Sequence, residues 1–268
     1  MTAVVKPTRI LIIAGSDSSG GAGIQAGIKT AAAFGAYAMT AITAVTVQNT
    51  KGVEAIHAVP PAIVRGQIVA ALSDIGADAI VVGMLFSAPI VRAVAETLAA
   101  HLRGVPVVVD PVMISTSGAT LLDSGAVEVL KKRLLPLATL VTPNIPEMQR
   151  LAEIKGTRPL DIRRAAARLR EMGAKAVLIK GGHSTRSTID DVLVWEGGEE
   201  VLAFPRVKTR HTHGTGCTLA AAIACGLGQG LSLPLAVWRA REYVQSAIAT
   251  APGFGHGHGP LNHAVKPQ

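Results

Sequence analysis

Six short runs rich in isoleucine and valine, at residues 10–14, 41–47, 79–83, 105–110, 139–142 and 176–180, recur along this chain with longer alanine-rich segments between them. Such runs suit strands buried on both faces, and strands of that kind need helices above and below them. The pattern therefore predicts an α/β fold with a mainly parallel central sheet flanked by helices. The helices fall at residues 22–34, 61–72, 88–101, 124–134, 145–152, 160–172, 215–227 and 233–251. No Pro/Ser-rich or charged linker interrupts the 268 residues, so one domain spanning 1–268 is expected. With 49% hydrophobic and 16% charged residues, disorder is excluded.

A net charge of +8 raises the question of a nucleic-acid or anionic-membrane partner. Aromatics make up only 3%, and lysine and arginine form no long run, which argues against stacking on single strands. The excess is local: residues 131–186 hold 13 of the 26 Lys+Arg but only 4 of the 18 Asp+Glu. Arg163, Arg164, Arg168 and Arg170 read as a solvated helix face. Cys217 and Cys225 lie too far apart along one helix to be bridged there, which fits a reducing cytoplasm. The apolar run near the start, 10–14, is too short for a signal-peptide core. The stretch 211–238 has no Asp, Glu, Lys or Arg, yet Gly226, Gly228, Gln229, Gly230 and Pro234 interrupt it, so two helices joined by a turn are expected rather than a membrane span.

Ligands of open α/β sheets collect where strands end and helices begin. Four segments there carry candidate chemistry. The glycine-rich loop at 14–23 joins the first strand to the first helix, without a Walker A ending or Gly-x-Gly-x-x-Gly spacing. By itself it serves equally as a tight turn. His211-Thr212-His213-Gly214-Thr215-Gly216-Cys217-Thr218 opens a helix whose N-terminal N–H groups and dipole suit an anion or a developing phosphoryl charge. Cys217, in the first turn, is expected to have its thiolate favoured, although a lone cysteine there also suits a buried cap. Asp110 ends one strand and Glu147 follows the next, a pair suited to Mg²⁺ or, singly, to helix capping. Lys180 ends the strand before Gly181-Gly182. Gly255-His256-Gly257-His258-Gly259 is a weak metal tract, with no cysteine or acid nearby. No Gly-x-Ser-x-Gly elbow supports a hydrolase.

Taken together and in order, the loop 14–23 with Ile24-Gln25-Ala26, Val47-Gln48-Asn49-Thr50, Val109-Asp110-Pro111-Val112-Met113, Thr142-Pro143-Asn144, Ile179-Lys180-Gly181-Gly182-His183, the segment 212–218 and Gly255-His256-Gly257-His258-Gly259-Pro260 closely resemble the hydroxymethylpyrimidine/phosphomethylpyrimidine kinases of thiamine biosynthesis. The match runs almost end to end. The resemblance implies a ribokinase-like three-layer sandwich, commonly a homodimer, that uses ATP and Mg²⁺ to phosphorylate 4-amino-5-hydroxymethyl-2-methylpyrimidine to its monophosphate and then to the diphosphate. It assigns Gly214, Thr215 and Gly216 to an anion hole, Cys217 to the base position and Lys180 to phosphate neutralisation. Asn144, Glu147 and Asp110 would place Mg²⁺ and phosphates, with Asp110 and Glu147 at the metal. The pyrimidine would meet the Gln48 amide, backbone at Gly15 and Val47, Met84 over its face, and His213. On this reading the basic span biases the field toward ATP and phosphorylated substrate. No nucleic acid or membrane partner is implied, and the location is cytoplasmic.

One departure stands out: the family usually reads Gln-Ala-Asp where this chain has Gln25-Ala26-Gly27. Gly27 is expected to remove a substrate-pocket acceptor and so weaken or broaden pyrimidine recognition. A pyridoxal or other vitamin-precursor kinase of the same Cys-type branch is the nearest alternative, and Gln48 argues against it. A pyrimidine-binding regulator without catalysis would need damage at the phosphoryl site, and Cys217, Lys180, Asp110 and the 214–216 loop are all present.

Overall fold

A computed structural model describes residues 6–102, 104–115, 118–182 and 187–267. His183, part of the lysine motif, lies outside the described residues. In chain order the strands are β1 (Arg9–Asp17), β2 (Tyr37–Gln48), β3 (Val53–Ala58), β4 (Ala79–Val82), β5 (Val107–Val109), β6 (Leu140–Val141), β7 (Val177–Ile179), β8 (Thr188–Trp195) and β9 (Gly198–Pro205). They form one sheet in the order β3-β2-β1-β4-β5-β6-β7-β8-β9. The pairs from β2 through β7 are parallel, while β3, β8 and β9 join antiparallel at the two edges.

The helices are α1 (Gly23–Ala33), α2 (Pro61–Asp74), α3 (Ala88–His101), α4 (Ser124–Val129), α5 (Ile145–Ala152), α6 (Pro159–Glu171), α7 (Thr215–Gly228) and α8 (Leu233–Ala249). They cover both faces. Leu11 and Ile13 of β1 enter a core with α2, α3, α5 and α6, while Ile10 and Ile12 enter another with α1, α7 and α8. This is the period-two signature of a strand sandwiched between helix layers. α7, apolar almost all round, packs against the sheet, α1 and α8, which explains its lack of charge. No described helix is long and apolar enough to cross a membrane.

Six strands and eight helices lie where the sequence predicts them. The three antiparallel edge strands do not appear in that reading, because β3, β8 and β9 mix acids and exposed positions with their apolar residues. The expected helix at 124–134 is α only to Val129, then widens into a π turn over Leu130–Leu134. Ion pairs engage much of the basic span: Lys131 with Glu128 and Glu153, Arg158 with Asp161, Arg163 with Glu199, and Arg168 with Glu153. Arg163, Arg164 and Arg168 of α6 are exposed, as expected, whereas Arg170 is partly buried, with its Nε out of solvent.

Candidate active site

The C-terminal ends of β1, β5, β6 and β7 converge on the N-terminus of α7. Gly214 caps that helix with φ 85°, and a Cβ there would collide with the Gly21 carbonyl, so only glycine lets the two glycine loops touch. A Cβ on Gly216 would stand 2.9 Å from Asp110 Oδ2 and 3.3 Å from Lys180 Nζ. The bare backbone of the first turn of α7 therefore faces a carboxylate and an ammonium from two strand ends. The Thr215 hydroxyl donates to Thr212 O (2.7 Å) and shapes the turn.

Lys180 Nζ donates to Asp110 Oδ1 at 2.7 Å, and Thr142 Oγ1 donates to the same oxygen at 3.1 Å. Burial lowers the affinity of Lys180 for its proton, but Asp110 and Glu147 outweigh it and raise the pKa, so the lysine is a fixed cation. Asn144 and Glu147 form a capping box on α5: Asn144 Oδ1 accepts from Glu147 N–H, and Glu147 Oε2 accepts from Asn144 N–H. Burial pushes Glu147 up to about 7, opposed by Lys180 and reinforced by Asp110.

Cys217 corrects one expectation. Its thiol is pushed up to about 12, because burial and the charges of Asp110 and Asp17 outweigh the Gly23 N–H, Lys180 and any help from the helix end. The thiol is neutral rather than thiolate in the ligand-free site. Both cysteines are free, as the sequence implies.

At the other side of the cleft, β1 bulges between Ala14 and Ser16 and β2 shifts register between Val47 and Gln48. These irregularities re-aim the backbone at Gly15 and the Gln48 side chain. A Cβ on Gly15 would lie 3.1 Å from Met84 Sδ, so the two are neighbours, and Met84 packs with Ala44 and Leu121 in a small apolar wall. Val47 stands on the β2–β3 hairpin with its side chain exposed. Gln48 Nε2 is 3.5 Å from His213 Nε2.

Gly27 corrects a second expectation. It is buried inside α1, and a Cβ there would lie 2.7 Å from Ile12 Cδ1. Position 27 points into the α1–β1 core rather than toward the cleft.

Three residues of the site carry no role in the sequence reading. Asp17 accepts from Ser19, Gly21, Ala22 and His213. Its pattern, an acid followed by Ser-Ser-Gly-Gly at a strand end, is the signal of a side chain that organises a turn. Asp191, on β8, accepts from Gly181 N–H at 2.8 Å beside Lys180, and Arg241 Nε lies 2.7 Å from its other oxygen. Phe86, two residues beyond Met84, holds a left-handed φ of 67°, strain of the kind that gathers at functional sites and that no residue type announces.

A doubly covered parallel sheet with a glycine-opened helix N-terminus, a buried lysine and acids at its strand ends is the apparatus of a ribokinase-like small-molecule phosphotransferase. Residues 17–262 match the model of the family described as phosphomethylpyrimidine kinase. The chain belongs to that family. It is 48% identical over 263 residues to the hydroxymethylpyrimidine/phosphomethylpyrimidine kinase of Streptomyces coelicolor, covering 98% of this chain and 96% of that one. It is 50% identical over 256 residues to the thiamine biosynthesis bifunctional protein ThiED of Geobacter sulfurreducens, covering 96% of this chain but only 52% of that longer protein. Among solved structures, the pyridoxal kinase from Staphylococcus aureus in complex with AMP-PCP and pyridoxal superposes with a TM-score of 0.89 at 33% identity, covering 98% of this chain and 97% of that one.

Proposed function

We propose that residues 1–268 form one kinase domain that transfers the γ-phosphoryl group of ATP to the hydroxymethyl oxygen of 4-amino-5-hydroxymethyl-2-methylpyrimidine, and then a second phosphoryl group to the monophosphate. The observation that carries this reading is the meeting of the 214–216 backbone with Lys180 and Asp110. Phosphoryl transfer depends on alignment and charge stabilisation more than on covalent chemistry. The N–H groups opening α7 would face the transferring phosphoryl group, and Lys180 would offset its charge. Cys217 would take the proton of the attacking hydroxyl on its sulfur while passing its own S–H proton to an oxygen of the transferred phosphoryl group, so that the thiol starts and ends neutral. In a loose transition state that proton leaves late, so a neutral thiol suits the task.

Two close carboxylates, one of them pushed up to about 7 by burial and by its neighbour, fit Mg²⁺ carried in with a nucleotide. Asp110 and Glu147 would hold it, with Asn144 beside the phosphates, and the ion would neutralise charge on the transferring group. Among the described residues no cluster of three or more His, Cys, Asp or Glu forms a closed metal cage. ATP as donor is supported by the AMP-PCP complex of the pyridoxal kinase. A homodimer in the cytoplasm belongs to the same reading. Val45 and Val47, exposed on β2, offer a second copy apolar surface, and sedimentation equilibrium measures the state.

Purified protein with ATP, Mg²⁺ and the hydroxymethylpyrimidine, following mono- and diphosphate separately, tests the function. Both products are expected in sequence. Pyridoxal runs in parallel, since the likeness to a pyridoxal kinase makes it the competing substrate. ATP turnover with pyridoxal but not with the pyrimidine would reverse the assignment, and no turnover with either would reject kinase activity.

A further inference from the structure

The Asp17 carboxylate takes five hydrogen bonds: Ser19 N–H (2.9 Å) and Oγ (2.8 Å) on Oδ1, and Gly21 N–H (3.1 Å), Ala22 N–H (2.8 Å) and His213 Nε2 (2.7 Å) on Oδ2. Both partners of the last contact are buried, with side chains 3% and 8% exposed. Burial alone would raise the Asp17 pKa, but the bonds from His213 and Ser19 bring it down to about 2, so the group is a carboxylate at any working pH. A carboxylate only accepts, and therefore His213 Nε2 carries a hydrogen.

That hydrogen decides the polarity of a third side chain. Gln48 has one end of its amide 3.5 Å from His213 Nε2 and the other 3.1 Å from Thr46 Oγ1. Thr46 Oγ1 is also 3.0 Å from Ser16 O, a carbonyl that can only accept. One hydroxyl has one hydrogen, so Thr46 donates to Ser16 and accepts from Gln48. Both neighbours then agree: His213 Nε2, its one hydrogen given to Asp17, has no lone pair for an NH₂ 3.5 Å away, so the Gln48 NH₂ turns to Thr46 and its oxygen lies against the protonated Nε2. The amide is left with one donor and one acceptor unengaged, in a fixed order.

We propose that Asp17 is a positioning residue for substrate recognition, which by holding His213 as an Nε2–H donor fixes the direction of the Gln48 amide and thereby selects a 4-aminopyrimidine edge over its 4-oxo counterpart. The two edges are opposites. The 4-amino ring presents an amino donor beside a ring-nitrogen acceptor, and the 4-oxo ring presents an oxygen acceptor beside a ring N–H. With the ring held one way round by its 5-hydroxymethyl group at the phosphoryl site, a freely turning amide would satisfy either edge, whereas a locked one satisfies one and leaves polar groups unpaired against the other. This inference rests on the pyrimidine kinase reading.

The test has two parts. Nitrogen-15 NMR of the ligand-free protein with labelled histidine, assigned to His213 by through-space contacts to its neighbours, reads the tautomer directly; His213 is expected with a protonated Nε2, and an Nε2 without hydrogen would overturn the proposal whether or not any variant folds. The second part compares kcat/KM for 4-amino-5-hydroxymethyl-2-methylpyrimidine with that for its 4-oxo analogue. The wild type is expected to prefer the amino compound by about a hundredfold or more, and Asp17→Asn to reduce that ratio at least tenfold. The asparagine amide of that variant would present an NH₂ to N–H donors whichever way it turned, and the His213 tautomer would be released. Equal losses on both compounds, with the ratio unchanged, would make Asp17 a structural residue and overturn the proposal. A wild type that phosphorylates neither compound contradicts the kinase reading and its substrate-selection corollary, while the tautomer measurement still decides the Asp17–His213 pairing.

Discussion

Lys180 Nζ and Asp110 Oδ1 lie 2.7 Å apart across the end of β6, joining β7 to β5 beside Gly216 in the first turn of α7. The pair is buried, with side chains 15% and 3% exposed, so removing one partner leaves the other charged and uncompensated. Lys180→Met is expected to lower kcat by about 10²–10³ through lost stabilisation of the transferring charge. The KM for the pyrimidine should change little, because Gln48 and Met84 stand across the cleft. Steady-state kinetics with a melting curve on the same variant separate catalysis from stability; unchanged kcat would remove Lys180 from the chemistry.

Cys217 is expected to be a sluggish nucleophile. Its pKa of about 12 leaves almost no thiolate at neutral pH, and the thiolate is the reactive form. Alkylation by iodoacetamide at pH 7.5, followed by peptide mass spectrometry, should proceed at least about tenfold more slowly than for a free thiol. Cys217→Ala should reduce kcat far more than it changes KM. Rapid labelling would restore the thiolate expectation, and near-normal turnover would move proton exchange to water or substrate phosphate.

The particular elements explain what can be read from the chain and what cannot. β1, β4, β5 and β7 are nearly or wholly buried and carry apolar runs that declare a doubly covered sheet. Lys180, Asp110 and the 214–216 loop are visible because chemistry at strand ends needs those residue types there. Asp191 is not visible: it serves Lys180 from an antiparallel strand, through a backbone N–H, and no local spacing encodes that. Gly27 misleads because a motif gives a position but not a direction. On α1 the residues Gly23 and Gly27 are one turn apart, yet one meets the Gly15 carbonyl and the other meets Ile12.

Gly27→Asp is therefore expected to act on stability rather than recognition. A carboxylate at 27 would start 2.7 Å from Ile12 Cδ1 and enter the apolar α1–β1 core. Burying it there should cost about 2–4 kcal/mol. Gly27→Ala should stay within about 1 kcal/mol of the parent, since gain in helix propensity offsets displacement of the Ile12 methyl. Denaturant titration measures both. A stable Gly27→Asp variant with a lower KM for the pyrimidine would return position 27 to the pocket.

His263 should make the fold acid-sensitive in a defined window. Burial, helped by the charge of Lys29 and opposed by the Leu261 backbone, lowers its pKa from the ordinary 6.5 to about 4. Thr218 Oγ1 lies 2.9 Å from its Nε2, and Tyr243 donates to its carbonyl at 3.1 Å, fixing it between α7 and α8. Below pH 6.5 the unfolded chain takes up a proton that the folded protein refuses until about pH 4. Stability present above 6.5 is accordingly lost as the pH falls toward 4, by up to about 3 kcal/mol. Asp17, lowered from 3.8 to about 2, loses its contribution mainly below this window, whereas Glu147, at about 7, takes up a proton inside it and stabilises the fold as the pH falls, so His263 is read from a comparison of parent and variant. Between pH 7 and pH 4 the parent should lose melting temperature relative to His263→Gln, which keeps a polar partner for Thr218 but has no charge to acquire. Equal slopes for parent and variant would show that His263 is not the titrating group.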